Sequence, residues 1–310
     1  MKEARSKPPK AADNRGWLAA IPYAWLFVFF FVPFVLVVKI SLSQTALAIP
    51  PYTPTIDWAA GIKGITDFLS GLNFNNYLRL TGDSLYLKAY FSSLQIATLS
   101  TIMLLLVGYP IAYGMAKAPV NMRSILLMLV ILPFWTSFLI RVYAWIGILK
   151  PEGLLNAALI GIGVVSPDNP LEIMNTDTAV YIGIVYSYLP FMVLPLYSAL
   201  EKLDGTLLEA ASDLGCPPWK AFWLVTWPLS LPGVIAGSML CFIPIMGEFV
   251  IPDLLGGAQT LMIGRTIWVE FFNNRDWPVA SAVAVLLLIT LILPIVIYQQ
   301  QQAKVLEAER

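Results

Sequence analysis

The 310-residue sequence predicts an all-α integral membrane protein with six transmembrane helices. Three observations carry that prediction. Of the residues, 58% are hydrophobic and only 12% charged, against roughly 25% charged in a soluble domain. That leaves too little polar surface for a water-facing globule, and the expected solvent is lipid. Six windows are long and apolar enough to span, at about 20 residues each. Finally, Lys and Arg alternate in density along the segments that connect those windows.

The windows run Leu18–Val38, Leu94–Ala116, Ser124–Leu149, Thr178–Leu200, Leu231–Pro252 and Val279–Tyr298. The first follows a basic start, MKEARSKPPKAADNRG. Its apolar run is too long for the core of a signal peptide, and no small-residue cleavage site follows, so it reads as a retained helix. Six spans put both termini on one side. With the termini inside, segments 1–17, 117–123, 201–230 and 299–310 hold 11 Lys+Arg in 66 residues, against 7 in 109 for the outside segments 39–93, 150–177 and 253–278. Net charge is +3 inside and −3 outside, so the positive-inside rule places both termini in the cytoplasm. Pro22, Pro33, Pro110, Pro133, Pro190, Pro195, Pro244 and Pro294 fall within the windows. A helix bundle tolerates them where neighbours satisfy the freed carbonyls. Gly233 and Gly237 form a small-x-x-x-small face suited to close helix packing.

Composition also excludes functions. Histidine is absent, which removes the commonest general base and metal ligand. Cys216 and Cys241 alone give neither a disulfide framework nor a zinc spacing. No Walker-type phosphate loop occurs. Zero formal net charge gives no electrostatic case for nucleic acid. No catalytic residue, metal ligand or cofactor on this chain is expected.

The loop after the fourth window, EKLDGTLLEAASDLGCPPWKAFWLVTWPLSLPG, is the most informative stretch. Thr206-Leu-Leu-Glu209 has the pattern of a capping box. Leu207, Ala210, Ala211 and Leu214 share one helical face. Gly215 stands where a left-handed cap would end the helix, with Pro217 beyond. A two-turn helix of this kind is unstable alone. It must dock, either on its own membrane domain or on a partner. Its alanines allow close approach, and Glu209 and Asp213 offer charge to a basic partner.

Glu209-Ala210-Ala211, then Gly215, then nine residues to Val225 and on to Pro228, is similar to the EAA signature of bacterial ABC importer permeases. Val225 stands where the family has Ile, and Trp227 where it has Leu. Leu132–Trp145, Leu189–Asp204, Gly247–Gly257 and Asn273–Ala282 resemble polyamine importer permeases; Ile49–Thr53 and the GEFVIP stretch look closest to the putrescine type. The resemblance implies a type I ABC importer permease (MetI-like) fold. It further implies a first transmembrane helix at 18–43, a periplasmic segment at 44–93 and a core of five helices at 94–298 with the EAA coupling loop at 201–233. The cytoplasmic tails would be 1–17 and 299–310, in a multi-pass protein of the bacterial inner membrane. The implied partners are a second, related permease subunit, two cytoplasmic ATPases that carry the ATP and Mg, a periplasmic polyamine-binding protein and membrane lipid. Thr206, Leu207, Glu209, Ala210, Ala211, Asp213, Leu214 and Gly215 would couple to the ATPase.

Arg141 and Glu248 are the charged residues inside the windows, and intramembrane charge marks function by default. Glu248 is read about 6–8 Å inside the outer end of the fifth helix. It is either a cation contact on the translocation path or the structural partner of Arg141, and these roles are not exclusive. Asp253, Trp135, Tyr143, Tyr186 and Tyr188 are further path candidates, the aromatics through cation–π contact. Glu270 and Asp276, with Arg265 and Arg275 nearby, read as a solvated or docking face. Two alternatives stay open: an ABC permease for another organic cation, amino-acid-like solute or metal, and an ATP-independent secondary transporter.

Overall fold

The computed structural model describes the backbone of residues 16–308, and the side chains of 20–57, 59–292 and 295–296. Most of the expected N-terminal tail and the side chains of the C-terminal tail lie outside the described residues. The chain forms two compact units, one holding residues up to Leu78 together with Asp276–Leu286, the other Arg79–Arg275 and the chain from Leu287 on.

In the first unit, the Ala20–Ser41 helix carries exposed apolar side chains from Ile21 to Leu36, as a lipid-facing surface requires. Lys39 near its end snorkels, with its ammonium 4.1 Å from the centre of the Tyr52 ring and 5.3 Å from that of Phe68. The segment that follows folds into a two-residue antiparallel ladder, Gln44–Thr45 against Tyr52–Thr53, and the helices Gly61–Gly71 and Asn75–Gly82. Buried Asn76 ties them to the first helix by donating to the Ser41 and Ser43 carbonyls at 2.8 and 2.7 Å. Thr45 donates to Asp276 at 2.6 Å.

The second unit is built on three long helices, Ser84–Lys117, Asp177–Glu201 and Pro218–Met246. Leu104, Ile184, Met192, Leu196, Ile245 and Met246 are fully buried among them. Small residues set the approach. A Cβ added at Gly233 would come within 2.5 Å of the Ala199 methyl and 2.9 Å of the Pro195 carbonyl, and one at Gly237 within 3.0 Å of the Met192 sulfur. The small-x-x-x-small face therefore packs on the Asp177–Glu201 helix. Pro110, Pro190, Pro195 and Pro232 sit inside unbroken helices.

Two windows differ from expectation. The third, Ser124–Leu149, is not one helix: Val120–Trp135 and Phe138–Gly161 meet at 88°. Pro133 tightens the end of the first piece into a 3-10 turn at Leu132–Trp135, and Thr136 is extended. The fifth ends early. Its helix stops at Met246, and a separate five-residue helix runs Val250–Leu254. Pro244 and Gly247 mark that stop. Among the described residues, four helices are long and apolar enough to cross a membrane, five if the bent pair is one span. The sixth window falls in the Trp277–Ala308 helix, whose apolar described part is Trp277–Ile292.

Candidate functional site

The break in the third window and the early stop of the fifth helix open a cavity of about 790 Å³ within the second unit. The Asp177–Glu201 helix supplies Ser187, Tyr188 and Phe191; the bent pair supplies Phe134, Phe138 and Arg141; Glu248 and Phe249 come from the break after Met246. Placing Glu248 beyond the helix end changes its bonding. It is not a side chain projecting from a helical turn. Its Oε1 accepts from the backbone N–H groups of Phe249, Val250 and Ile251 at 3.2, 3.0 and 3.4 Å, and Tyr188 donates its hydroxyl to Oε2 at 2.5 Å. With 7% of its surface exposed, the carboxyl group is held in a set orientation in the cavity wall.

No ion pair joins Arg141 to Glu248; the carboxylate oxygens are occupied by the Tyr188 hydroxyl and the three amides. The guanidinium lies 5.0 Å from the centre of the Phe134 ring and 5.8 Å from that of Phe138. Its Nε and one terminal nitrogen are buried without a hydrogen-bond partner. The cavity thus carries one charge of each sign, kept apart by their own supports.

The other path candidates lie elsewhere. Trp135 and Tyr143 are exposed and absent from the cavity wall. Tyr186 faces a different hollow beside Pro133 and packs edge-on against Trp145, 5.3 Å between ring centres. Asp253 pairs with Arg265 at 3.1 Å. Glu270 is buried rather than part of a solvated face: it accepts from Tyr86 and Asn274, each at 2.9 Å. Ser187, Phe134, Phe138 and Phe191 were not foreseen. The one local signal was the spacing of Phe134, Phe138 and Arg141 at i, i+4 and i+7 directly after Pro133.

The loop helix forms over Gly205–Asp213. Its cap is Asp204, which accepts from the Thr206 amide at 3.0 Å; Thr206 sits two residues too late for the role its capping-box pattern suggested. That bond holds the Asp204 carboxyl below the usual value of 3.8. The other end matches expectation. Gly215 has φ +75°, its N–H reaches the Ser212 carbonyl at 2.8 Å, and the Cys216 N–H reaches Ala211 at 3.0 Å, the paired bonds of a Schellman cap. None of the helix is buried. Leu207, Glu209, Ala210, Asp213 and Leu214 are exposed, Leu214 at 88%, while Leu208 and Ala211 are half-buried. Among the described residues nothing covers the apolar face of Leu207, Ala210 and Leu214.

Such an architecture, an apolar helix bundle with a largely apolar cavity that holds two charged side chains, and a capped, exposed loop helix, is that of a transport permease. Residues 11–304 match the family of binding-protein-dependent transport system inner membrane components. The chain is 42% identical over 279 residues to the spermidine/putrescine transport system permease protein PotB of Haemophilus influenzae, covering 90% of this chain and 91% of that protein. It is 42% identical to the protein of the same name from Escherichia coli, covering 88% and 92%. A crystal structure of a bacterial ABC transporter involved in the import of the acidic polysaccharide alginate has a chain that superposes with a TM-score of 0.65 at 15% identity, covering 94% of this chain and 96% of that one. In a second structure, the alginate ABC transporter in complex with alginate pentasaccharide-bound periplasmic protein, the TM-score is 0.67 at 14% identity, over 94% and 95%. The chain belongs to the family of binding-protein-dependent transport system inner membrane components. It is an inner-membrane permease of ABC-importer type, and the hydrolysis that drives such importers resides in a separate ATPase subunit.

Proposed function

We propose that this permease forms part of the path for polyamines, with Glu248 as the fixed anion of that path. The observation that carries the proposal is the cavity: one buried carboxylate, held by Tyr188 and three amides, in a wall of four phenylalanines. A polyamine is a chain of methylenes between ammonium groups. Phenyl faces accept both parts, through apolar contact and cation–π attraction of about 0.5–2 kcal/mol. Arg141 offsets Glu248, so the cavity offers a cation guidance without a deep trap. That suits a path, because a substrate bound too tightly is not released. The names of the relatives support a cargo class that includes both putrescine and spermidine.

In this reading both termini are cytoplasmic and the Gly205–Asp213 helix is seated on a partner ATPase that binds ATP and Mg. A second, related permease completes the path, and a periplasmic binding protein delivers substrate to the outer face. ATP binding and hydrolysis then shift a two-state bundle through contacts that differ between the states.

Uptake of labelled putrescine and spermidine by the reconstituted complex tests the proposal. Glu248→Gln keeps an acceptor for Tyr188 but removes the charge. Transport of both should fall by roughly tenfold, an effect of about 1.4 kcal/mol, with ATPase activity retained. Unchanged uptake and unchanged apparent affinity would sink the assignment of Glu248.

A further inference from the structure

A second cavity, of about 280 Å³, lies in the same unit, behind the loop helix. Its wall joins five elements, among them the Asp177–Glu201 helix through Leu200 and Glu201. Lys117 ends the Ser84–Lys117 helix, Arg123 lies in the first turns of the next one, and Gly205 and Leu208 belong to the loop helix. The fifth brings Thr226, 1% exposed, whose hydroxyl is buried with no hydrogen-bond partner among the described residues.

The polar groups are unequally matched. Glu201 Oε1 accepts from Arg123 at 3.3 Å and from the Tyr197 hydroxyl at 2.7 Å. Arg123 also donates its Nε to the Ala118 carbonyl at 3.0 Å. These bonds fix Arg123 and Glu201 as a pair. Lys117 is the surplus: its ammonium stands 5.8 Å from the centre of the Tyr113 ring. The cavity therefore carries a net formal charge of +1, from Lys117 and Arg123 against Glu201, and a buried hydroxyl without a partner. A buried polar group left unmade is expensive, and the missing partner is one that accepts from a hydroxyl and balances an ammonium.

We propose that this cavity binds a phosphate group. Its volume is at the small end for ligand sites, which run roughly 300–1,000 Å³, enough for a phosphate with its ester link. Two sources share that chemistry, the headgroup of an anionic phospholipid and free inorganic phosphate. The setting favours the lipid. The helix that carries Arg123 presents Val120, Ile125 and Leu129 as exposed apolar side chains beside the cavity, a surface for acyl chains. Basic pockets between spanning helices on the cytoplasmic side are common seats for lipid headgroups. An occupant would bridge the loop helix to the ends of two long helices, and so hold the handle in register with the bundle.

The test uses the full chain purified in a neutral detergent, with apparent affinity read from the shift in its thermal unfolding midpoint as ligand is added. The ligands are phosphatidylglycerol, inorganic phosphate and, as the zwitterionic control, phosphatidylcholine. Phosphatidylglycerol should stabilise the protein where phosphatidylcholine does not. Lys117→Gln, at an exposed side chain, should weaken that effect by roughly fivefold, and Thr226→Val should weaken it as well. Stabilisation by inorganic phosphate alone, lost in the same variants, supports the site with the other source. Equal response of wild type and Lys117→Gln to every ligand, or no response beyond the phosphatidylcholine control, overturns the proposal. This readout needs neither transport nor ATPase, so it stands or falls apart from the polyamine reading.

Discussion

The wall around Glu248 and the Gly205–Asp213 helix solve opposite problems with the same residue types. In the cavity the charged groups are buried: Glu248 is bound by four donors, and Arg141 is packed on phenyl rings. On the loop helix, Glu209 and Asp213 are exposed and only Leu208 and Ala211 are half-buried. In the first arrangement the Glu248 carboxylate is fully bonded within the chain, and only the Arg141 guanidinium keeps unbonded nitrogens. The second is locally well formed, capped at both ends, and leaves its outward face bare. In the function proposed above, that difference separates where cargo passes from where work enters: a pre-set site for a small solute, and an open handle for a large partner.

The largest test of that contrast is a change on the bare face. Ala210→Trp adds bulk where none of the described residues packs, so the fold should survive while ATP-driven uptake falls by at least about tenfold (roughly 1.4 kcal/mol or more). ATPase activity of the complex should become independent of the loaded binding protein. Normal uptake would show that the face is merely solvent-exposed. Next in size is Tyr188→Phe. It removes a hydroxyl bonded to a buried carboxylate, worth about 1.5–3 kcal/mol, and should lower the unfolding midpoint and transport together. A variant as stable as the wild type would mean that Glu248 is held by its amides alone.

A smaller loss is expected at Gly215→Ala. A Cβ at φ +75° costs about 1–2 kcal/mol, and the added methyl meets open space. Proteolysis within the 201–233 loop should accelerate while the bundle stays intact. The smallest effect concerns Asp204. Its carboxyl is depressed by the Thr206 amide, so its contribution is complete above the ordinary value of 3.8 and fades only as pH falls below it. Protection of the loop should then be flat through neutral pH, and a transition near pH 6 would contradict the cap.

The loop helix was legible in the sequence because helix ends are governed by local rules. Gly215, Pro217 and the spacing of Leu207, Ala210, Ala211 and Leu214 announced it. Only the start was misplaced, because Asp204 preceding Gly205 is an equally good cap and lies where the chain leaves the long helix. Most apolar windows were legible because a run of about 20 apolar residues marks a span, although the third is bent and the fifth ends at Met246. The cavity was not, since it joins residues 134–141, 187–191 and 240–250, which no periodicity relates. Glu248 could be singled out as a charge among apolar neighbours, yet its partners depend on the helix ending at Met246. Pro244 and Gly247 carry that stop, as Pro133 carries the bend in the third window. Prolines alone do not announce breaks, because Pro110, Pro190 and Pro195 leave their helices continuous.

The central claim is that the exposed face of Gly205–Asp213 is where the ATPase grips the permease. Cysteine cross-linking from Ala210→Cys, in a Cys216→Ser background within the assembled complex, tests it most directly. A cross-link to the ATPase subunit is expected, with a yield that changes when ATP is bound. A residue at this position that is modified from the periplasmic side of intact cells, and forms no cross-link to the ATPase, would contradict it.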